Sequence, residues 1–230
     1  MAAVFWMAAV LAFTLFTGNS LGDVDQNKLA QFVRGINTEY SIEGQVSWAV
    51  NIPGDQDVNK LKNIFKEDPA ETVNDKVSKD EVYQGTNVVA AKFKKFPEYT
   101  EHAEARVLDN MKPLANRGKG KILLFYSYLS PCGAKCTNTD NGNNILKKID
   151  TVWKNYQWKD HAFVFSKVFD RTSKGTVIKK TEIEAALTQL GKSKLGHKIF
   201  RCYKPKNREY KCTNCYIKGK LLNECVDNNV

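Results

Sequence analysis

The sequence predicts an α/β protein with a central five-stranded sheet of mixed direction, flanked by helices. Three observations lead there. Apolar residues recur at three- and four-residue intervals in some segments, and alternate or run unbroken in others. An opening pair of strand patterns is followed by helices and strands in alternation. The later strands are joined by helical stretches of a dozen residues or so, the length that parallel pairing requires.

The first element is a helix at about 26–41, where Leu29, Phe32, Val33, Ile36 and Tyr40 share a face. Gln45 to Ile52 reads as a strand with Val46, Trp48 and Val50 on one side, stopped by Pro53-Gly54. Residues 53–85 are polar and charged apart from Leu61, Ile64 and Phe65. They are expected to form a long insertion, a surface loop able to lie over a site. Asn87 to Phe93 resumes as a strand and completes a hairpin-like pair. His102 to Leu114 patterns as a helix, and 116–120 as a turn. Ile122 to Leu129 is a continuous apolar run of the kind buried on both faces of a sheet, broken by Ser130-Pro131. A helix at about 142–156, a strand from His161 to Phe169, a helix at 179–191 closed by Gly191 as C-cap, and a strand from His197 to Tyr203 complete the series.

Residues 1–22 stand apart. Ala2 to Phe16 is nearly unbroken apolar sequence, too short to span a bilayer comfortably, and Thr17 to Gly22 supplies small residues suited to cleavage. This reads as a secretory signal peptide, although no Lys or Arg precedes the apolar run. No later stretch is apolar enough to cross a membrane. The net charge of +10 favours polyanionic partners, nucleic acid among them. Basic and aromatic residues interleave at Lys92-Phe93-Lys94-Lys95-Phe96 and from Arg201 to Lys211, a pattern suited to single strands, which bind by stacking in a cationic groove.

The six cysteines divide into two groups. Cys202, Cys212, Cys215 and Cys225 crowd the C-terminus and are expected to form two disulfides, with three connectivities open. Cys132 and Cys136 stand with different company. The chain reads His102-Ala103-Glu104, then 26 residues, then Pro131-Cys132-Gly133-Ala134-Lys135-Cys136. This resembles the His-x-Glu and Pro-Cys-x-x-Cys signature of zinc-dependent nucleobase deaminases. A catalytic zinc needs three protein ligands and an open position. His102, Cys132 and Cys136 supply the three for one Zn²⁺ per chain, and a water in the fourth position becomes acidic enough to ionise near neutrality. Glu104, beside the metal without binding it, is the proton carrier that a poor leaving group such as ammonia demands. Three residues separate the cysteines here instead of two. If the segment is helical, positions i and i+4 still share a face, and two helix N-termini point at the metal. A plain Cys132–Cys136 disulfide is the other reading of the pair.

At Ser127-Tyr128-Leu129-Ser130-Pro131-Cys132 the chain resembles the AID/APOBEC deaminases, and with its leader it resembles the secreted novel AID/APOBEC-like group. The resemblance covers most of residues 26–203 and implies a cytidine deaminase-like three-layer fold with the last two strands parallel. It implies a deaminase domain at 23–206, with 53–85 inserted and 207–230 as a cysteine-rich extension outside it. It implies a substrate loop at Ser166 to Asp170 in which Phe169 flanks the target base and Asp170 reads its neighbour, with Ser130 as a further substrate contact, while Leu129 stands where the family has a Trp. The activity implied is hydrolysis of the cytosine amino group to give uracil in single-stranded DNA or RNA, outside the cell; cytosine over adenine rests on the resemblance. Deamination of free cytidine or deoxycytidine is an alternative, as is a catalytically silent, secreted nucleic-acid-binding defence protein.

Overall fold

A computed structural model describes residues 24–142 and 144–230. The leader expected at 1–22 lies outside the described residues. The chain runs α1 (Gln26–Tyr40), β1 (Val46–Ile52), α2 (Leu61–Glu67), α3 (Ala70–Ser78), β2 (Tyr83–Gln84), β3 (Val88–Lys92), β4 (Lys94–Lys95), β5 (Thr100–Glu101), α4 (Ala103–Asp109), α5 (Lys112–Ala115) and β6 (Ile122–Leu129). It continues through α6 (Ile145–Asn155), β7 (Asp160–Lys167), α7 (Lys180–Lys192), β8 (Ile199–Tyr203), β9 (Lys211–Asn214), β10 (Tyr216–Ile217) and β11 (Lys220–Leu221).

The central sheet is mixed, with helices on both faces, and has seven strands in the order β2-β3-β1-β6-β7-β8-β9. The expected opening hairpin is β1 against β3, antiparallel, with Trp48 opposite Ala90. β6, β7 and β8 run parallel, so the last two expected strands pair as anticipated. The two strands beyond the expected five sit at the edges. β2 has two residues and β9 four, too short for a period-2 pattern to register. β9 lies within the segment read as an extension, and it pairs antiparallel with β8 with Cys202 opposite Cys212. Disulfides join Cys202 to Cys212 and Cys215 to Cys225, one of the three connectivities left open.

Period-2 alternation divides the core into two layers. Trp48, Val50, Leu124 and Tyr126 face one cluster with Phe32, Val33 and Ile36 of α1. Ala49, Leu123, Phe125 and Phe163 face the other, with Val107, Ile149 and Leu187 from α4, α6 and α7. Residues 53–85 depart from expectation. They are not a loop but α2, α3 and β2, with Leu61, Ile64, Val73 and Val77 buried in the first cluster. One or two apolar residues per turn, among lysines and acids, bury a stripe too narrow to stand out in sequence. The buried Asp68 carboxylate ties the segment to the sheet by accepting from Tyr83 Oη at 2.9 Å and from the Thr86 and Asn87 amides at 2.8 Å.

Two smaller expectations also change. The helix expected from His102 to Leu114 is two, parted at Asn110–Met111. Gly191 lies inside α7, whose C-cap is Ser193. A Cβ at Gly191 would come within 3.0 Å of Tyr216 Oη, so glycine serves close packing there rather than termination.

Candidate active site

The site forms where β6 ends beside the start of α4. His102 is the N-cap residue of α4 in extended conformation, and Glu104 lies in its first turn. Cys132 lies three residues beyond the end of β6, and the stretch to Cys136 is a turn instead of the helix considered for it. The turn is closed by the Thr137 amide donating to Cys132 O at 3.1 Å, while the Ile145 amide holds Cys136 O at 2.8 Å. Pro131 and the Asn-rich sequence after Cys136 favour such turns over helix. The segment from Cys132 to Cys136 therefore contributes no helix N-terminus of its own, while α4 starts beside His102.

The turn nonetheless achieves what a shared helical face would have done. Cys132 Sγ lies 3.5 Å from Cys136 Sγ, and His102 Nδ1 is 3.0 Å from Cys136 Sγ and 3.9 Å from Cys132 Sγ. Among the described residues, His102, Cys132 and Cys136 form a group able to hold a metal ion, all donor atoms within 4.8 Å of one another. Zn–S bonds of about 2.3 Å and a Zn–N bond of about 2.0 Å place tetrahedral neighbours roughly 3.5–3.8 Å apart; the donor types suit zinc, and the observed separations of 3.0, 3.5 and 3.9 Å bracket that range. The pair is not a disulfide; both thiols are free. The Cys136 hydrogen bond and the nearby imidazole push the Cys132 thiol well below the ordinary thiol range, while the same interaction and burial push Cys136 up. Contact with Cys132 raises His102.

Glu104 is 1 % exposed. Its Oε1 accepts from Ser127 Oγ at 2.8 Å, and its Oε2 has no hydrogen-bond partner among the described residues. Burial holds this carboxyl above the usual carboxylate range. An orphaned oxygen buried at a cavity is a costly arrangement in a structural role and a useful one for handling a proton.

His102, Glu104 and Cys132 line a cavity of about 480 Å³. Ser130 and Phe169, the expected substrate contacts, line it too, and the Phe169 amide donates to Ser130 Oγ at 2.9 Å. Asp170 is not among the lining residues; its Oδ2 accepts from Asn228 Nδ2 at 2.9 Å. Leu129 lines the cavity where the family resemblance led one to look for a Trp. Lys135 and Arg171 were missed by sequence reasoning, although one lies between the two cysteines and the other follows Asp170. With Lys95 they give the cavity a cationic lining against the single carboxyl of Glu104. Lys95 belongs to the basic-aromatic run, which folds as the β4–β5 hairpin and brings Phe93 and Thr100 into the same wall. At its outer end Phe96 and Tyr99, 37 % and 49 % exposed, stack 4.7 Å apart, with Lys94 Nζ 5.6 Å from the Phe96 ring.

No curated protein and no solved structure matches the chain. A family model does, that of Secreted Novel AID/APOBEC-like Deaminase 1, over residues 26–229. The match runs on through the C-terminal cysteine segment, beyond the reach of the sequence resemblance. With a His-Cys-Cys cluster and a buried glutamate at one cavity, the chain belongs to the Secreted Novel AID/APOBEC-like Deaminase 1 family.

Proposed function

We propose that this protein is a secreted, zinc-dependent deaminase that converts cytosine to uracil in single-stranded nucleic acid. His102, Cys132 and Cys136 hold the metal. Zinc, when bound, supplies the Lewis acidity that lets a water act as nucleophile near neutral pH. Hydrolytic deamination forms a C–O bond at C4 of the base and breaks the C–N bond; of the two protons that water gives up, one stays on N3 of the uracil and the other leaves on ammonia. Glu104 makes both transfers, with its raised affinity for the proton supporting the return step. Ser127 fixes the carboxyl by its bond to Oε1, leaving Oε2 for the reacting groups. Lys95, Lys135 and Arg171 neutralise the phosphates flanking the target nucleotide. The exposed Phe96–Tyr99 stack at the hairpin end favours a polymer over a free nucleoside, because it offers a second base a surface away from the cavity. Secretion is supported by the family's description and by two disulfides, which persist in oxidising compartments.

The observation that carries this reading is the unpartnered Glu104 Oε2 in the cavity that His102 and Cys132 also line. The test is a uracil-release assay on purified, zinc-loaded protein with single-stranded DNA and RNA, beside free cytidine and an adenine control. Cytosine turnover that disappears in Glu104→Ala at unchanged zinc content supports the reading. Turnover of cytidine alone moves the substrate to the free nucleoside, and turnover of nothing makes the protein a silent binder.

A further inference from the structure

Beyond the metal cluster, the C-terminal residues take hold of the cavity wall. Asn228 bonds both backbone polar groups of Val168, as a neighbouring strand would, and Val168 O also accepts from the Asp170 amide at 3.0 Å. Val168 N donates to its Oδ1 at 3.0 Å, and its Nδ2 donates to Val168 O at 2.9 Å. The same Nδ2 donates to Asp170 Oδ2 at 2.9 Å. β7 ends at Lys167, so these bonds begin where sheet pairing stops and the turn carrying Phe169 and Arg171 begins. Ser130 grips the other side through the Phe169 amide.

Asn228 is itself held from inside the fold. Arg201 of β8 is 3 % exposed and donates from Nη2 to Asn228 Oδ1 at 2.8 Å. Its Nη1 donates to Glu224 O at 2.5 Å and to Asp227 O at 2.6 Å, and its Nε to Ser166 O at 3.2 Å. One buried guanidinium thus joins the end of β7 to the C-terminal segment. The Cys215–Cys225 disulfide anchors that segment just before the grip. Five donors in a rigid plane suit Arg to this task, and Lys could not replace it.

We propose that Asn228 is a positioning residue of the active site. Held by Arg201 and the Cys215–Cys225 disulfide, it fixes the 168–171 turn so that Phe169 and Arg171 form the substrate wall. The substrate consequence rests on the deaminase reading, whereas the brace itself does not. This assigns the C-terminal cysteine segment a part in substrate acceptance, and it makes Asp170 a member of the brace.

The experiment compares full-length Asn228→Ala and Asn228→Asp with the unaltered protein by amide hydrogen exchange and by steady-state kinetics on cytosine-containing single-stranded DNA. In Asn228→Ala, exchange at 168–171 is expected to rise about ten-fold while that of α4 stays unchanged, because the opening is local. KM is expected to rise about ten-fold with kcat within about two-fold, the pattern of lost substrate positioning. Asn228→Asp keeps the acceptor for Val168 N and Arg201 and should fall between. It carries the test if the alanine variant does not fold. Unchanged exchange at 168–171 overturns the brace, and a loss of kcat at constant KM overturns its role in substrate acceptance. The exchange readout needs no turnover, so an inactive wild-type protein would sink the deaminase reading while leaving the brace to be judged on exchange.

Discussion

Ser127 Oγ donates to Glu104 Oε1 at 2.8 Å, joining the middle sheet strand to the first turn of α4. The bond crosses the buried face of the sheet and leaves Oε2 without a hydrogen-bond partner among the described residues. Removing the carboxyl should abolish turnover, since a positioned proton carrier contributes on the order of 10²–10⁴ in rate. Ser127→Ala should lower kcat by about ten-fold at nearly constant KM, because the carboxyl remains but its orientation is lost. Rate measurements on both variants, with zinc content and thermal melts as controls, check this. A Ser127→Ala enzyme with unchanged kcat would remove the hydroxyl from the mechanism.

Metal content offers a second check. Mass spectrometry under native conditions should find one zinc per chain, lost in His102→Ala and in Cys132→Ser. Chelation should lower the melting temperature, because an ion bound only by the folded state stabilises it. The chelated protein should then lose both free thiols to oxidised glutathione, since Cys132 Sγ and Cys136 Sγ stand 3.5 Å apart and Cys132 is the reactive thiolate. Thiol titration before and after adding zinc reads this directly, and protection by the metal is the expected result.

The hairpin separates polymer from monomer. Changing Phe96 and Tyr99 together to Ala removes the exposed stack without touching the cavity lining. Affinity for single-stranded oligonucleotides should fall by about 1–3 kcal/mol for each stacked base lost. Turnover of free cytidine, if any, should be unaffected. Equal losses on both substrates would mean that the hairpin acts through the cavity shape.

His161 supplies a pH dependence away from the metal. Its Nε2 meets Leu195 O at 3.1 Å, its ring lies edge-on to Trp153, and burial holds its pKa below the ordinary value. A depressed histidine contributes stability above the unfolded value near 6.5, and that stability is lost as pH falls from there through the folded value. The slope is at most about 1.4 kcal/mol per pH unit. Thermal melts from pH 7.5 to 5.5, values chosen to be roughly a unit either side of that midpoint, should therefore decline less steeply in His161→Gln than in the wild-type protein.

Most of the fold was legible because its long elements carry strong periodicity. α1, β1, β6, α6, β7, α7 and β8 lie within a few residues of the segments that the apolar spacing marks. The metal cluster was legible for a different reason. A zinc site restricts its donor types so severely that His102, Cys132 and Cys136 stand out in chain order alone, with Glu104 marked by its place two residues after the histidine. The conformation of the Cys132–Cys136 turn was not legible, and it did not need to be, since a turn and a helix both bring positions i and i+4 together.

By itself, then, the sequence determined the α/β layer architecture and singled out His102, Glu104, Cys132 and Cys136 as the candidate site, because each depends on local pattern or on residue chemistry. Tertiary structure decided the rest. Whether 53–85 would pack against α1, whether β9 would pair with β8, and which disulfides would close are questions of contact between distant segments. The same holds for the cavity wall. Asp170 and Arg171 are neighbours in sequence, yet Arg171 lines the cavity and Asp170 turns to Asn228, 58 residues along the chain. No spacing rule reaches that far, because the partner is chosen by the position of Arg201 inside the fold.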